Sequence, residues 1–298
     1  MKPNLAVPIN PSPLLASALL GALLVATPTA APADTLYVSN SGDNTIQAIT
    51  PSGVISTFAG SGLAYPEGLA FDLAGNLYVA NYNQNAIMKY TPNGVGSLFL
   101  GGVSNPSALA FDSTGNLFIA SGFSTILKVT PGGAQSVFAS TGLSGPSGMA
   151  FDQSGNLYAA NHYNNTISRF TPDGSWSLFA QTGLDGPTGL AFDVSGNLYA
   201  ANTGLVNAAN TIERFAADGS GSVFATTGYA PTGLTFDRAG TLYVASYSEN
   251  SIESFTADGV GTLFATGLYR PTSVAIVPEP SIGMLLAISL FSLIWRER

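Results

Sequence analysis

His162 is the single histidine of this 298-residue chain, and there is no cysteine. That narrows the chemistry open to the sequence. A zinc hydrolase needs about three His or carboxylate ligands and one open position, and Ser-His-Asp catalysis would have to recruit His162. Neither a Gly-x-Ser-x-Gly elbow nor a phosphate-cradling loop occurs. We therefore expect no catalytic residue, no metal ligand set and no cofactor, and we read His162 as a polar loop residue. Five aspartates recur at positions 72, 112, 152, 193 and 237, each opening "DxxGN" or "DxxGT". Such a carboxylate can accept hydrogen bonds from the amides of its own turn. One per repeat is too sparse to share a calcium ion, whose ligands lie at about 2.3–2.6 Å. Lys89, Lys128, Arg169 and Arg214 share one repeat position and are expected to lay their stems over apolar surface.

Three tyrosines are harder to assign to structure. Tyr82, Tyr163 and Tyr247 stand in loops rich in amides and hydroxyls: Asn81-Tyr-Asn-Gln-Asn85, Asn161-His-Tyr-Asn-Asn165 and Ser246-Tyr-Ser-Glu-Asn250. Aromatic faces beside uncharged hydrogen-bonding groups suit neutral sugar rings. The candidate ligand-binding residues are Tyr82, Asn83, His162, Tyr163, Asn164 and Tyr247. The competing explanation for the asparagines is that they tolerate the left-handed turn conformation.

These residues belong to a phrase of about 40 residues repeated six times. The Leu opening its "NLYAAN" segment stands at 36, 77, 117, 157, 198 and 242, and "PxGLAFD" begins at 66, 106, 146, 187, 231 and 271. Each unit holds four short apolar runs separated by Gly, Asn, Asp and Pro, with no helical period. In the third unit the runs are 148–151, 157–160, 166–170 and 177–179. Runs apolar on both faces call for sheets covered on both sides, as blades around an axis are. The fold expected is all-β: a six-bladed propeller of four-stranded antiparallel blades. The first "NLYAAN" half and the last "PxGLAFD" half are orphans, so ring closure should pair the strand at 271–277 with the N-terminal strands from 35. Phe58, Phe99, Phe138, Phe179, Phe224 and Phe264 recur once per blade and should pack between sheets. On geometry, the loops between second and third strands lie on the same face as the blade-to-blade connections, and residues 202–210 form the longest of them.

The ends read as addresses. Lys2 precedes a 13-residue apolar stretch at 14–26, short for a membrane span, and Ala31-Pro32-Ala33 follows. Residues 1–33 are therefore expected to be a signal peptide cleaved after the A-x-A site of Ala31 and Ala33. At the other end Pro278-Glu279-Pro280 leads into an apolar run at 282–295 and then Arg296-Glu297-Arg298. Such a helix would be about 21 Å long, against a hydrocarbon core of about 30 Å. Residues 278–298 resemble the PEP-CTERM sorting signal. The resemblance implies an exosortase-type sorting enzyme as partner, transient membrane association through the tail, and residence on the outer surface or in the extracellular matrix of a Gram-negative-type bacterium.

The chain carries 17 acidic against 9 basic side chains, a net charge of −8. An acidic surface repels phosphate backbones, so no nucleic-acid partner is expected. The repeat over residues 34–277, "PxGLAFD–xGNLYVAN–NxI–[KR]–[YF]–DG" in Pro66–Gly94 and Pro146–Gly174, resembles the NHL β-propellers. That resemblance implies the fold and leaves the function open. It also makes "GLAFD" the innermost strand, whose channel-facing residues would be Gly68/Ala70, Ala108/Ala110, Gly148/Ala150, Gly189/Ala191 and Gly233/Thr235, or their Leu/Phe neighbours. Neither set offers a carboxylate, imidazole or amide. The functional expectation is an exported, non-enzymatic binding or scaffold module, with polysaccharide or a surface protein as partner. The alternative is an extracytoplasmic metal-dependent hydrolase or lyase of the lactonase/lyase propeller type.

Overall fold

Turn chemistry and apolar runs alternate four times per repeat, and in the computed structural model each repeat length yields one sheet. Residues 35–204, 210–228 and 230–277 are described. They form six four-stranded antiparallel sheets. The second blade runs outward from the axis as Pro66–Phe71, Leu77–Asn81, Ala86–Tyr90 and Gly96–Gly101. The innermost strand of each blade packs against its two counterparts, so six of them make a closed inner ring. Closure occurs in the first blade. Pro271–Ile276 pairs with Leu36–Asn40, with Val274 opposite Val38 and Ile276 opposite Leu36. A propeller joined this way has its termini laced into one sheet, and no inner edge is left exposed.

The repeated aspartates tie turns. Asp152 Oδ1 accepts the amides of Ser154 and Asn156 at 2.9 and 2.8 Å, and the same bonds recur at Asp72, Asp112 and Asp193. Asn44, Asn85, Asn165 and Asn250 end their loops with φ of 53–59°. Each also accepts an amide from the next blade-to-blade connection, as Asn85 Oδ1 does from Asn105 at 2.8 Å. These asparagines therefore latch neighbouring blades as well as turning the chain.

Between blades lies a repeated aromatic wedge. The Tyr78 ring meets Phe99 of its own blade at 4.9 Å and Phe111 of the next at 5.0 Å, both edge to face. Equivalent wedges centre on Tyr37, Phe118, Tyr158 and Tyr199. Each such pair contributes about 0.5–1.5 kcal/mol beyond the area it buries. Lys89 and Lys128 lie over the Tyr78 and Phe118 rings at 5.0 and 5.2 Å, and Lys89 also reaches Asp72 at 3.6 Å. Near the axis the backbones crowd. A β-carbon on Gly148 would come within 1.8 Å of the Thr188 carbonyl, so only glycine lets these two inner strands approach.

The innermost strands begin two residues earlier than the apolar runs, at the proline itself, which is tolerated as the first residue of a strand. All six carry a bulge just after that proline. The expected signal peptide (1–33), its Ala31 and Ala33, and the sorting tail with Pro278, Glu279 and Pro280 lie outside the described residues. No helix among the described residues is long and apolar enough to cross a membrane.

Candidate functional site

The bulge takes the second residue of each innermost strand out of simple alternation. Those residues are Glu67, Ser107, Ser147, Thr188, Thr232 and Thr272, all lining one cavity of about 310 Å³ at the channel mouth. Five are hydroxyls, and each donates to the proline carbonyl of an adjacent blade. Ser107 reaches Pro146 at 2.6 Å, Ser147 Pro187 at 2.9 Å, Thr188 Pro231 at 3.2 Å, Thr232 Pro271 at 3.0 Å and Thr272 Pro66 at 2.9 Å. The belt breaks once. Glu67 occupies the sixth place, and among the described residues no hydroxyl donates to the Pro106 carbonyl.

This corrects the expectation that the channel offers no carboxylate or imidazole: Glu67 and His162 both line it. Extending the strands to the proline, with a bulge behind it, exposes a residue that alternation within "GLAFD" omits. Glu67 lies deep yet keeps intermediate exposure, because the cavity reaches it. Its carboxyl has no hydrogen bond or ion pair among the described residues. Burial, with no compensating partner, pushes it up to about 8.

The rim is aromatic. Tyr82, Phe123, His162 and Tyr163 line the mouth. Phe123 and Tyr163 stand 6.0 Å apart and are 68% and 63% exposed, an unusual display for rings with no partner above them. His162 is held by its backbone amide to the Gly145 carbonyl at 3.1 Å, and its Nδ1 is buried with no hydrogen-bond partner. Burial holds the ring below its usual range, outweighing the backbone oxygens of Gly186 and Pro187 and the charge of Asp185. It is therefore neutral at neutral pH.

Beside Glu67, Tyr65 adopts φ +55° and is fixed by its amide to Asn44 Oδ1 at 2.7 Å. That conformation costs about 1 kcal/mol or more in a non-glycine residue. It directs the ring to Tyr82, 6.0 Å between centroids, and the hydroxyl to Tyr247, 3.3 Å away. Burial, the bond to Tyr247 and the charge of Glu67 push the Tyr65 phenol up to about 12. Burial and Glu67 also raise Tyr82.

Of the six residues proposed from sequence, Tyr82, His162 and Tyr163 meet at this cavity. Tyr247 stands one residue behind, joined through Tyr65, with its ring under the Arg270 guanidinium at 5.9 Å. Asn83 and Asn164 do not line it. Asn164 Oδ1 accepts Thr166 Oγ1 at 2.9 Å within its own turn, and Asn83 gives its backbone amide to the Ala64 carbonyl. Sequence reasoning missed Glu67, Phe123 and the hydroxyl belt. The signal was present: "PxG" reads E, S, S, T, T, T, one break in a run of hydroxyls. A more conspicuous break, Trp176, lies on an outermost strand, where its indole donates to Ser168 Oγ at 3.0 Å. Residues 205–209 of the long fifth-blade loop lie outside the described residues. Among the described residues no three His, Cys, Asp or Glu side chains converge, and Glu67 is the one carboxylate that lines this cavity.

No family model matches the sequence, and no curated protein matches it. The fold does match solved structures. A structure of a nidogen/laminin complex is similar at 22% identity and a TM-score of 0.74, over 82% of this chain and 98% of that one. A streptogramin B lyase matches at 18% identity and 0.63, covering 82% and 86%. A gluconolactonase from Xanthomonas campestris matches at 20% identity and 0.61, covering 71% and 79%. At these identities the likeness establishes the six-bladed propeller and nothing of the site. Its relatives in shape include both binding proteins and enzymes.

Proposed function

We propose that this chain is an exported, non-enzymatic binding module of a bacterial surface or exopolysaccharide matrix, holding a saccharide at the mouth of its propeller channel. The observation that carries the reading is the composition of that cavity. Exposed Tyr163 and Phe123 and half-buried Tyr82 surround a floor of serine and threonine hydroxyls, and among the described residues no lysine or arginine lines it. Sugar rings stack on aromatic faces and exchange hydrogen bonds with uncharged oxygens. Propellers in general serve binding and catalysis alike, so the site and not the fold supports the assignment.

Export and matrix residence rest on the sequence: the signal peptide at 1–33, the Pro278-Glu279-Pro280 tail and the exosortase-type enzyme that the tail implies. The metal-dependent hydrolase or lyase alternative receives less support, since the cavity brings one carboxylate and one imidazole and no third ligand of those kinds. The test is saturable binding of purified residues 34–277 to the producing organism's exopolysaccharide, with defined glycans alongside. Tyr82→Ala with Tyr163→Ala should abolish binding and leave the ring folded. Binding indifferent to both substitutions would remove the site from the proposal.

A further inference from the structure

We infer that Glu67 makes the channel a receptor for a protonated amine and, resting on the saccharide reading above, that the sugar it takes carries a free amino group. The argument starts from the belt. Each of its five hydroxyls has its one proton engaged within the protein, with a proline carbonyl of an adjacent blade in reach, and so offers an incoming group only acceptor lone pairs. The sixth place adds a carboxyl, also an acceptor once ionised. A floor made of acceptors around one unpaired acid is complementary to a group with several N–H donors and a positive charge.

The walls agree. Tyr82, Phe123 and Tyr163 line the mouth, and a cation over such a ring gains from its quadrupole. Among the described residues no side chain supplies that cation. The neighbouring inner strands, Pro106–Phe111 and Pro271–Ile276, contain no ionisable residue. The titratable groups facing Glu67 or sharing its cavity are Tyr65, Tyr82, Tyr163 and His162, with Tyr247 behind Tyr65. His162 is kept neutral by burial, and the tyrosines carry no positive charge. Arg270 leans on Tyr247 and Tyr269 and does not line the cavity.

The empty site keeps Glu67 largely protonated at neutral pH, because burial raises it to about 8. An ammonium entering the cavity takes the place of that proton and releases it to solvent. For an amine that stays charged throughout, binding is therefore linked to proton release below about pH 8 and tightens as pH rises toward that value.

The experiment titrates the purified protein with glucosamine oligosaccharides, with N-acetylglucosamine oligosaccharides of equal length, and with methylammonium, which like lysine stays charged from pH 6 to 9. Calorimetry in two buffers of different ionisation enthalpy reads the proton count. We expect the free-amine sugar to bind about tenfold or more tighter than its acetylated counterpart, and methylammonium, whose charge is constant, to bind with proton release at pH 7. Glu67→Gln should erase both the preference and the release. The Gln carboxamide can donate to the Pro106 carbonyl as the belt hydroxyls do, and unchanged thermal unfolding checks that the ring is intact. Equal binding of both sugars, unaffected by Glu67→Gln, overturns the amine site while leaving the saccharide reading standing. Methylammonium binding lost in Glu67→Gln, with no binding of either sugar, supports the amine site and overturns the saccharide reading. Stoichiometric calcium binding that depends on Glu67, without any response to amines, overturns the inference, as does silence toward every probe.

Discussion

Replacing Glu67 with threonine would give the sixth inner strand the kind of residue the other five already have, and the consequence for stability can be worked through. The Glu67 carboxyl moves from 4.5 in the free side chain to about 8 in the folded channel. The folded state thus holds the proton more tightly than the unfolded one. The stability that this protonation contributes is fully present below about pH 4.5 and is lost as pH rises through about 8. Each pH unit in that interval is worth about 1.4 kcal/mol, so the whole interval comes to about 5 kcal/mol. Water entering from the cavity screens the charge, and roughly 2–4 kcal/mol is the expected loss. Glu67→Thr removes this dependence, and its hydroxyl gains a bond to the Pro106 carbonyl of about 0.5–1.5 kcal/mol. Urea unfolding of both proteins at pH 4.5, 6, 7 and 8.5, with m held common, gives the comparison. The variant should differ little from the parent at pH 4.5 and exceed it by several kcal/mol at pH 8.5. A stability difference that stays constant across this range would refute the reasoning, because it would mean the carboxyl is solvated or paired in the folded ring.

Three further outcomes are expected. Gly148→Ala drives a methyl group into the Thr188 carbonyl and should cost about 2–3 kcal/mol or open the ring, measured by thermal unfolding; a neutral effect would show that the inner strands are not so close. Asp112→Ala should cost about 1–2 kcal/mol at pH 7, and the cost should shrink as pH falls below 3.8. Burial works against the Asp112 charge, but hydrogen bonds from Asn116 and Thr114 outweigh it and hold the group below its usual 3.8; its stabilisation is therefore present above that value and lost as pH falls through the lower folded one. His162→Gln should remove a loss of stability on the acid side. Burial lowers His162 from 6.5, so the folded state resists protonation and is weakened as pH falls below about 6.5. Proton NMR titration of this single histidine provides an independent check.

Much of the architecture was legible because its causes are local. The period of about 40 residues, the four runs per unit, the "DxxGN" carboxylates and the orphan halves at 36 and 271 each act within a turn or a strand, where spacing alone carries the information. The pairing of Pro271–Ile276 with Leu36–Asn40 follows from counting halves. The tyrosine loops were legible as exposed and polar for the same reason. What the sequence could not assign was which of them share a surface. Tyr82 and Tyr163 lie on different blades and meet only because the ring brings those blades to one mouth. Tyr247 does not line the cavity; its hydroxyl meets that of Tyr65 at 3.3 Å.

Glu67 is the clearest case. As a letter it is one acidic residue among 17, two places after Tyr65 and just past a proline that reads as a turn. Its role depends on a bulge behind that proline, on a neighbouring strand 40 residues away, and on five hydroxyls from five other blades that each satisfy an adjacent blade's carbonyl. The sequence by itself determined the blade, the number of blades and the closure, because strand periodicity and turn chemistry are short-range. Only the tertiary structure decided that one carboxyl would stand unpaired at the channel mouth, because burial and the absence of a partner are properties of the assembled ring.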